Sequence, residues 1–178
     1  MTGGPARYRA VIPTPIGPLH AIASDEGLCA LDFDHRAASF APFDDARDGN
    51  HPMLHLTAHE LGAYFSGESM AFTIRVDLHG TDFQRRVWRA LRTIPAGETR
   101  SYAAVARAIG SPDAVRAVGM ANGANRIAIV VPCHRVIGSD GKLTGYGGGI
   151  ERKRWLLEHE GALTSDLLFG ASGARPAK

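Results

Sequence analysis

The sequence predicts an α/β protein in two parts: a small mixed α/β first half, then a mostly helical second half containing a helix-turn-helix. Three observations predict it. Short apolar runs broken by turn residues fill the first 80 residues, whereas helical spacings with cap signals dominate the rest. Charge changes sign at the same place: residues 1–80 carry five Lys and Arg against ten Asp and Glu, and residues 81–178 carry fifteen against eight. The chain has 178 residues, a net charge of +2 and a hydrophobic share of 44%, which fits one or two small domains.

In the first half, His20 to Ser24 is a strand candidate, Asp25-Glu26-Gly27 a turn, and Leu28 to Phe33 the returning strand. Residues 34–52 are polar and read as a loop. Leu54, Ala58, Leu61 and Phe65 follow helical spacing, closed by Ser66-Gly67. Phe72, Ile74, Val76 and Leu78 alternate, predicting a half-buried strand. The boundary falls at His79-Gly80, giving an α/β domain over 1–79, a second domain over 80–168, and a flexible tail over 169–178.

The second half opens on Thr81-x-x-Gln84, a capping-box spacing. Phe83, Val87, Leu91 and Ile94 give that helix an apolar face, and Pro95-Ala96-Gly97 ends it. Ser101 caps a second helix with Val105 and Ile109 inward and Gly110 as its stop. Ser111-Pro112-Asp113 predicts the start of a third, closed by Gly123. These two helices form the helix-turn-helix. The later one offers a single long polar side chain, Arg116, among small residues. Two readings are open. Small residues allow close approach to a nucleic-acid backbone in the minor groove, with Arg116 inserted into the stack; equally, they are helix–helix packing and Arg116 is a surface charge.

Pro132-Cys133-His134-Arg135-Val136 follows the apolar run Ile127 to Val131. A Cys in that position is most often packing. Beside a His and an Arg it is also placed as a nucleophile, because only the thiolate attacks well and neighbouring cations raise its fraction. Successive side chains of an extended segment point to opposite faces. Cys133 and His134 can therefore cooperate only through a backbone turn or a bridging water. Gly141 to Gly149 is glycine-dense but lacks the order of a phosphate loop. It reads either as a flexible loop or as backbone brought close to a flat ligand, with Tyr146 as a wall. A last helix over Glu151 to His159 leaves Glu160 at its end, where a carboxylate could orient His134 or simply be solvated.

Several classes are excluded. No stretch approaches the roughly 20 apolar residues of a membrane span, and the N-terminus has no signal-peptide pattern. The two cysteines, Cys29 and Cys133, form no Cys-x-x-Cys pair, and the eight His are scattered. No metal site, cofactor or membrane partner is expected, and the location expected is cytoplasmic. The basic second half suggests a polyanion partner, although an ordinary solvated surface accounts for it as well.

A set of motifs goes further. It comprises Phe83-Gln84-x-x-Val87-Trp88, Ile94-Pro95-x-Gly97, Ser101-Tyr102, Arg116-Ala117-Val118-Gly119, Asn122-Gly123-x-Asn125, Ile129 to Ile137 around Pro132-Cys133-His134-Arg135, Gly145-Tyr146-Gly147-Gly148-Gly149, and Leu156-Leu157-x-His159-Glu160-Gly161. Together these resemble the O6-alkylguanine-DNA alkyltransferases, also called methylated-DNA–protein-cysteine methyltransferases. Thr14-Pro15-Ile16-Gly17-Pro18-Leu19 is similar to the start of the bacterial members. The resemblance spares only the 34–52 loop and the tail.

The resemblance implies a ribonuclease-H-like N-terminal domain before a winged-helix-like DNA-binding domain. It implies direct-reversal repair, in which the O6-alkyl group of O6-methylguanine, and of O4-methylthymine as a second lesion base, moves irreversibly to Cys133 in a single turnover after the nucleotide is flipped out. It gives His134 as the base acting through a water, Glu160 as its orienting group, and Tyr102 as the residue assisting nucleotide rotation and the leaving group. Arg116 fills the stack, Ser101, Ala117 and Gly119 meet DNA, and Asn125 is the hinge. Val136, Tyr146 and Gly147 line the base pocket. The partner implied is double-stranded DNA bound through its minor groove by a monomer. Many members have Pro after the hinge Asn, where Arg126 stands here.

Three rivals belong to other classes. A non-catalytic binder of alkylated DNA would share Arg116 and Tyr102 but leave Cys133 unalkylated. A winged-helix regulator would need a further domain. A cysteine hydrolase would need an oxyanion hole and would turn over.

Overall fold

The computed structural model describes residues 5–33 and 39–163. The predicted tail, and residues 34–38 of the predicted loop, lie outside them. β1 (Tyr8–Ile12), β2 (Leu19–Ser24) and β3 (Gly27–Asp32) form an antiparallel meander, and β4 (Arg47–Asp48) pairs parallel with β1, giving the order β3-β2-β1-β4. The alternation that makes β2 amphipathic turns Leu19, Ala21 and Ala23 toward the main core and Ile22 toward a smaller cluster on the opposite face with Phe43 and Ala46.

α1 (Pro52–Ser66) covers the main face. Pro52 occupies its first turn, the His51 ring accepts from the Met53 amide at 3.2 Å, and Gly67 closes it at φ +77°. Its buried face is Leu54, Thr57, Leu61 and Tyr64. The predicted face was rotated: Ala58 is exposed and Phe65 half-buried.

Two further expectations are corrected. The 34–52 loop contains a short 3-10 turn (Ala41–Phe43) and β4, because Arg47 finds a free backbone partner beside β1. Residues 72–76 alternate in burial, 77 and 78 are half-buried like 76, and the segment makes only one bridge, Val76 to Leu28, at the outer edge of β3. The next bridge on that edge, Leu31 to Ile127, comes from the second half of the chain and leaves no room for a longer ladder. β1 was not anticipated.

In the second half, α2 (Asp82–Leu91) starts on the predicted capping box, with Thr81 and Gln84 exchanging side-chain and backbone bonds. It ends in a turn at Arg92–Thr93, before Pro95. Trp88 is buried and donates to the Ala121 carbonyl at 2.8 Å. Gly80 lies under its ring, where a Cβ would come within 2.6 Å of the indole. β5 (Arg100–Ser101) leads into α3 (Tyr102–Ala108), capped by Ser101. Ser111-Pro112-Asp113 forms a separate turn, and α4 (Val115–Gly123) starts after Ala114 without a side-chain cap. β6 (Val136–Ile137) pairs parallel with β5, and α5 (Ile150–His159) closes the described fold. One continuous core joins both halves, from Leu19 and Leu61 through Trp88 and Val118 to Leu156. Among the described residues, no helix is long and apolar enough to cross a membrane.

Candidate active site

The segment from α4 to Cys133 is a chain of tight turns rather than a strand. Ile129 sits at φ 69°, which is strained for a β-branched residue. Asn125, just past α4, holds this segment together. Its amide nitrogen donates to the Val131 carbonyl at 2.8 Å and to Cys133 Sγ at 3.1 Å, and its oxygen accepts from the Ile127 amide at 3.0 Å. Cys133 is 7% exposed. Burial pushes its thiol up; the Asn125 bond and the charge of Lys153 oppose this, and the nearby Asp32 adds to it.

Cys133, His134 and Arg135 form a 3-10 turn. His134 is fully buried, and its Nε2 lies 2.8 Å from Glu160 Oε1. Glu160 also receives Arg135 through Nε at 2.9 Å and Nη2 at 2.8 Å, and the Tyr64 hydroxyl at 2.8 Å. Burial alone would raise this carboxyl, but the bonds from His134 and Arg135 hold it at about 2. Burial lowers His134 despite Glu160, so the ring is neutral at pH 7. A neutral ring that donates from Nε2 to a carboxylate carries its lone pair on Nδ1. That atom is buried and has no partner.

Cys133 opens into a cavity of about 230 Å³, whose walls include Asp32 and Ser39 from the first half and Asn122, Asn125 and Tyr146 from the second. Three polar atoms around Cys133 are buried without partners: His134 Nδ1, Asn122 Oδ1 and Tyr146 Oη. Native interiors rarely leave such atoms unpaired, so the cluster marks a place for a polar ligand.

The structure brings Cys133, Asn125, Tyr146 and Gly147 to this cavity; His134 and Glu160 are buried and bonded to each other but are not among its lining residues. Val136 is buried next to them, its carbonyl accepting from Lys153 Nζ at 2.6 Å. Among the described residues, the cavity walls do not include Tyr102, Arg116, Ser101, Ala117 or Gly119. Arg116 and Ala117 stand exposed on α4 beside Met120, 77% exposed. Gly119 faces the Tyr102 ring, with a Cβ position 3.9 Å from it, and the Ser101 hydroxyl is occupied in capping α3.

Sequence reasoning missed Tyr64, Asn122 and Lys153. Lys153 is buried, bonded to the Val136 and Thr144 carbonyls, and lowered by burial to about 8. Its place one turn into α5 reads as a surface lysine, and nothing local signals otherwise. Among the described residues, the grouping able to hold a metal ion is Cys29, Asp77 and His79, with ligand atoms within 4.8 Å of one another. None of the three lines the Cys133 cavity.

Comparison with known proteins yields one family in two parts: 6-O-methylguanine DNA methyltransferase, matched by its ribonuclease-like domain over residues 7–78 and its DNA binding domain over 82–162. A methylated-DNA–protein-cysteine methyltransferase of Mycobacterium bovis is 52% identical over 158 residues, covering 86% of this chain and 91% of its own. One from Methanosarcina acetivorans is 44% identical over 155 residues, covering 87% and 99%. The crystal structure of Mycobacterium tuberculosis O6-methylguanine methyltransferase superposes with a TM-score of 0.78 at 49% identity, covering 92% of this chain and 98% of that one. The structure of that organism's protein in complex with DNA gives 0.77 at 49%, covering 90% and 97%.

Proposed function

The chain belongs to the 6-O-methylguanine DNA methyltransferase family, and from that premise we propose how its residues divide the work of transferring an alkyl group from DNA to Cys133. The activity is that of a methylated-DNA–protein-cysteine methyltransferase, a direct reversal of DNA damage, and DNA is the partner.

In this reading the Cys133 thiol gives its proton, through a water, to His134 Nδ1. Glu160 holds the ring so that Nε2 keeps its proton. The thiolate attacks the alkyl carbon of O6-methylguanine in line. The S–C bond forms as the C–O6 bond breaks, the electron pair stays on the base, and the base takes up one proton, the Tyr102 hydroxyl assisting. O4-methylthymine is a second substrate of the same chemistry. The product at Cys133 is a thioether, so each molecule reacts once, and no cofactor takes part.

The lesion base must leave the duplex to reach a buried thiol, at a cost of a few kcal/mol. Arg116, exposed on α4, fills the gap from the minor groove. Ser101, Ala117 and Gly119 lie along the DNA contact, Asn125 is the hinge between α4 and the thiol, and Val136, Tyr146 and Gly147 hold the base. The working unit is a monomer with its domains divided near residues 79–80. It acts in the cytoplasm, where its two free thiols stay reduced.

The observation that carries this reading is the buried His134–Glu160 pair, its His in the same turn as a thiol bonded by Asn125 in the wall of a cavity. Incubation with duplex DNA containing O6-methylguanine, followed by intact-mass analysis, tests it. One methyl per protein on Cys133 is expected, and none on Cys133→Ser. An unchanged mass with retention of the modified DNA would leave a lesion-binding protein.

A further inference from the structure

The glycine loop over 145–149 carries Tyr146 into the wall of the Cys133 cavity, and Gly148 lines that wall with it. A glycine-rich segment is costly to hold in one conformation, so whatever fixes this loop decides how open the thiol is. Part of the fixing comes from outside the cavity. Arg152 is not among the lining residues; it stands half-buried in the first turn of α5 and reaches two parts of the chain at once. Its Nη1 donates to the Gly148 carbonyl at 3.0 Å, and its Nε donates to the Ile16 carbonyl of the first half at 2.8 Å. The guanidinium also lies over the Phe33 ring, 4.4 Å from its centroid.

Two glycines make room for this arrangement. Gly17 stands at φ +114°, and a Cβ there would come within 2.9 Å of Arg152 Nη2. A Cβ on Gly148 would come within 2.7 Å of the Tyr146 ring and 2.9 Å of the Phe33 ring. Tyr146, Gly148, Phe33 and Arg152 thus form one packed row from the cavity wall to the first half of the chain. The alkyl-transfer scheme gives Arg152 no part. Resting on that scheme for the role of Cys133, we propose that Arg152 is a positioning residue: it latches the glycine loop to the first half and so keeps Tyr146 closed against the thiol.

Labelling of Cys133 by two thiol reagents, iodoacetamide and a far bulkier pyrene maleimide, tests this, with the modified residue located by peptide mass so that Cys29 is counted apart. Both reagents need the thiolate, so their rate ratio at one pH cancels any change in the thiol's own pKa. Arg152→Ala should raise the maleimide-to-iodoacetamide ratio about tenfold or more, the shift in a local opening equilibrium expected when a charge-assisted hydrogen bond is lost. Arg152→Lys, which keeps the charge without the forked head, should raise it less. Tyr146→Ala removes the wall itself, so its ratio should already be high, and adding Arg152→Ala should leave it unchanged. If Arg152→Ala folds poorly, Phe33→Leu takes its place: it removes the ring under the guanidinium, leaves both hydrogen bonds, and should shift the ratio in the same direction. An unmoved ratio in the folded variant, or an equal rise with and without Tyr146, overturns the inference while leaving alkyl transfer standing. Absence of methyl on Cys133 after the wild type meets duplex O6-methylguanine overturns the functional reading instead.

Discussion

The Tyr64 hydroxyl donates to Glu160 Oε1 at 2.8 Å across 96 residues of sequence. Tyr64 comes from α1 in the first half, and Glu160 is the carboxylate that bonds His134. His159, the neighbour of Glu160, reaches back to the Tyr64 carbonyl at 2.7 Å. The N-terminal half therefore supplies part of the setting of the proposed base. Tyr64→Phe should lower stability by about 1.5–3 kcal/mol, the usual loss of a hydrogen bond to a charged group. Alkyl transfer should slow less than tenfold, because Arg135 still holds Glu160. Urea unfolding and single-turnover kinetics measure the two effects.

Glu160→Gln leaves the Arg135 guanidinium buried without its counter-charge, and a cost of about 3–5 kcal/mol is expected. The wild type should also lose stability in acid. Glu160 is held at about 2, below its usual 4.5, so its contribution is complete above pH 4.5 and is lost as pH falls toward 2. His134, lowered by burial, acts in the same direction, because below pH 6.5 the unfolded chain binds its proton more readily. Chemical denaturation across pH 3–8 should show Glu160→Gln with a flatter acid limb.

Alkyl transfer should follow the neutral form of His134. Because burial lowers its pKa, the rate should hold as pH drops to 6.5 and decline only below that. His134→Ala should cost about 10²-fold or more, the usual contribution of a positioned base. A rate profile that halves near pH 6.5 or above would count against this role.

Asn125 lowers the Cys133 thiol through its 3.1 Å bond to Sγ. Asn125→Ala should move thiol alkylation by iodoacetamide to higher pH. It also releases the Val131 carbonyl and the Ile127 amide, so stability should fall by about 2 kcal/mol or more.

Arg116→Ala should slow transfer from duplex DNA at least tenfold while leaving reaction with the free base O6-methylguanine unchanged, because Arg116 stands outside the Cys133 cavity. Equal losses on both substrates would contradict a role in filling the stack.

Much of this was legible in the chain. The Asp25-Glu26-Gly27 turn located β2 and β3 within a residue, and the Thr81–Gln84 box located α2. Cys133, His134 and Glu160 stand out because their chemistry is local or ends a helix. β1 was hidden because Arg9 and Val11 alternate outward and look like loop. β4 was hidden because two exposed residues carry no apolar signal. Tyr64 and Asn122 owe their importance to what lies opposite them. Spacing along α1 gave Tyr64 no distinction from Phe65, and Asn122 was one more small residue on α4.

The outer edge of β3 has one further consequence. Leu31 exchanges backbone bonds with Arg126 and Ala128, at 2.8 and 2.7 Å, in the loop that leads to Cys133. The reactive loop is thus stitched onto the sheet edge of the other half by a single bridge, Leu31 to Ile127. If the chain is cut at residue 80, the first fragment exposes a bare strand edge prone to self-pairing, and the second loses the brace on its nucleophile. Neither piece should work alone, whereas mixing them should restore transfer in proportion to the reassembled pair, which makes the junction usable as a split reporter of fragment association.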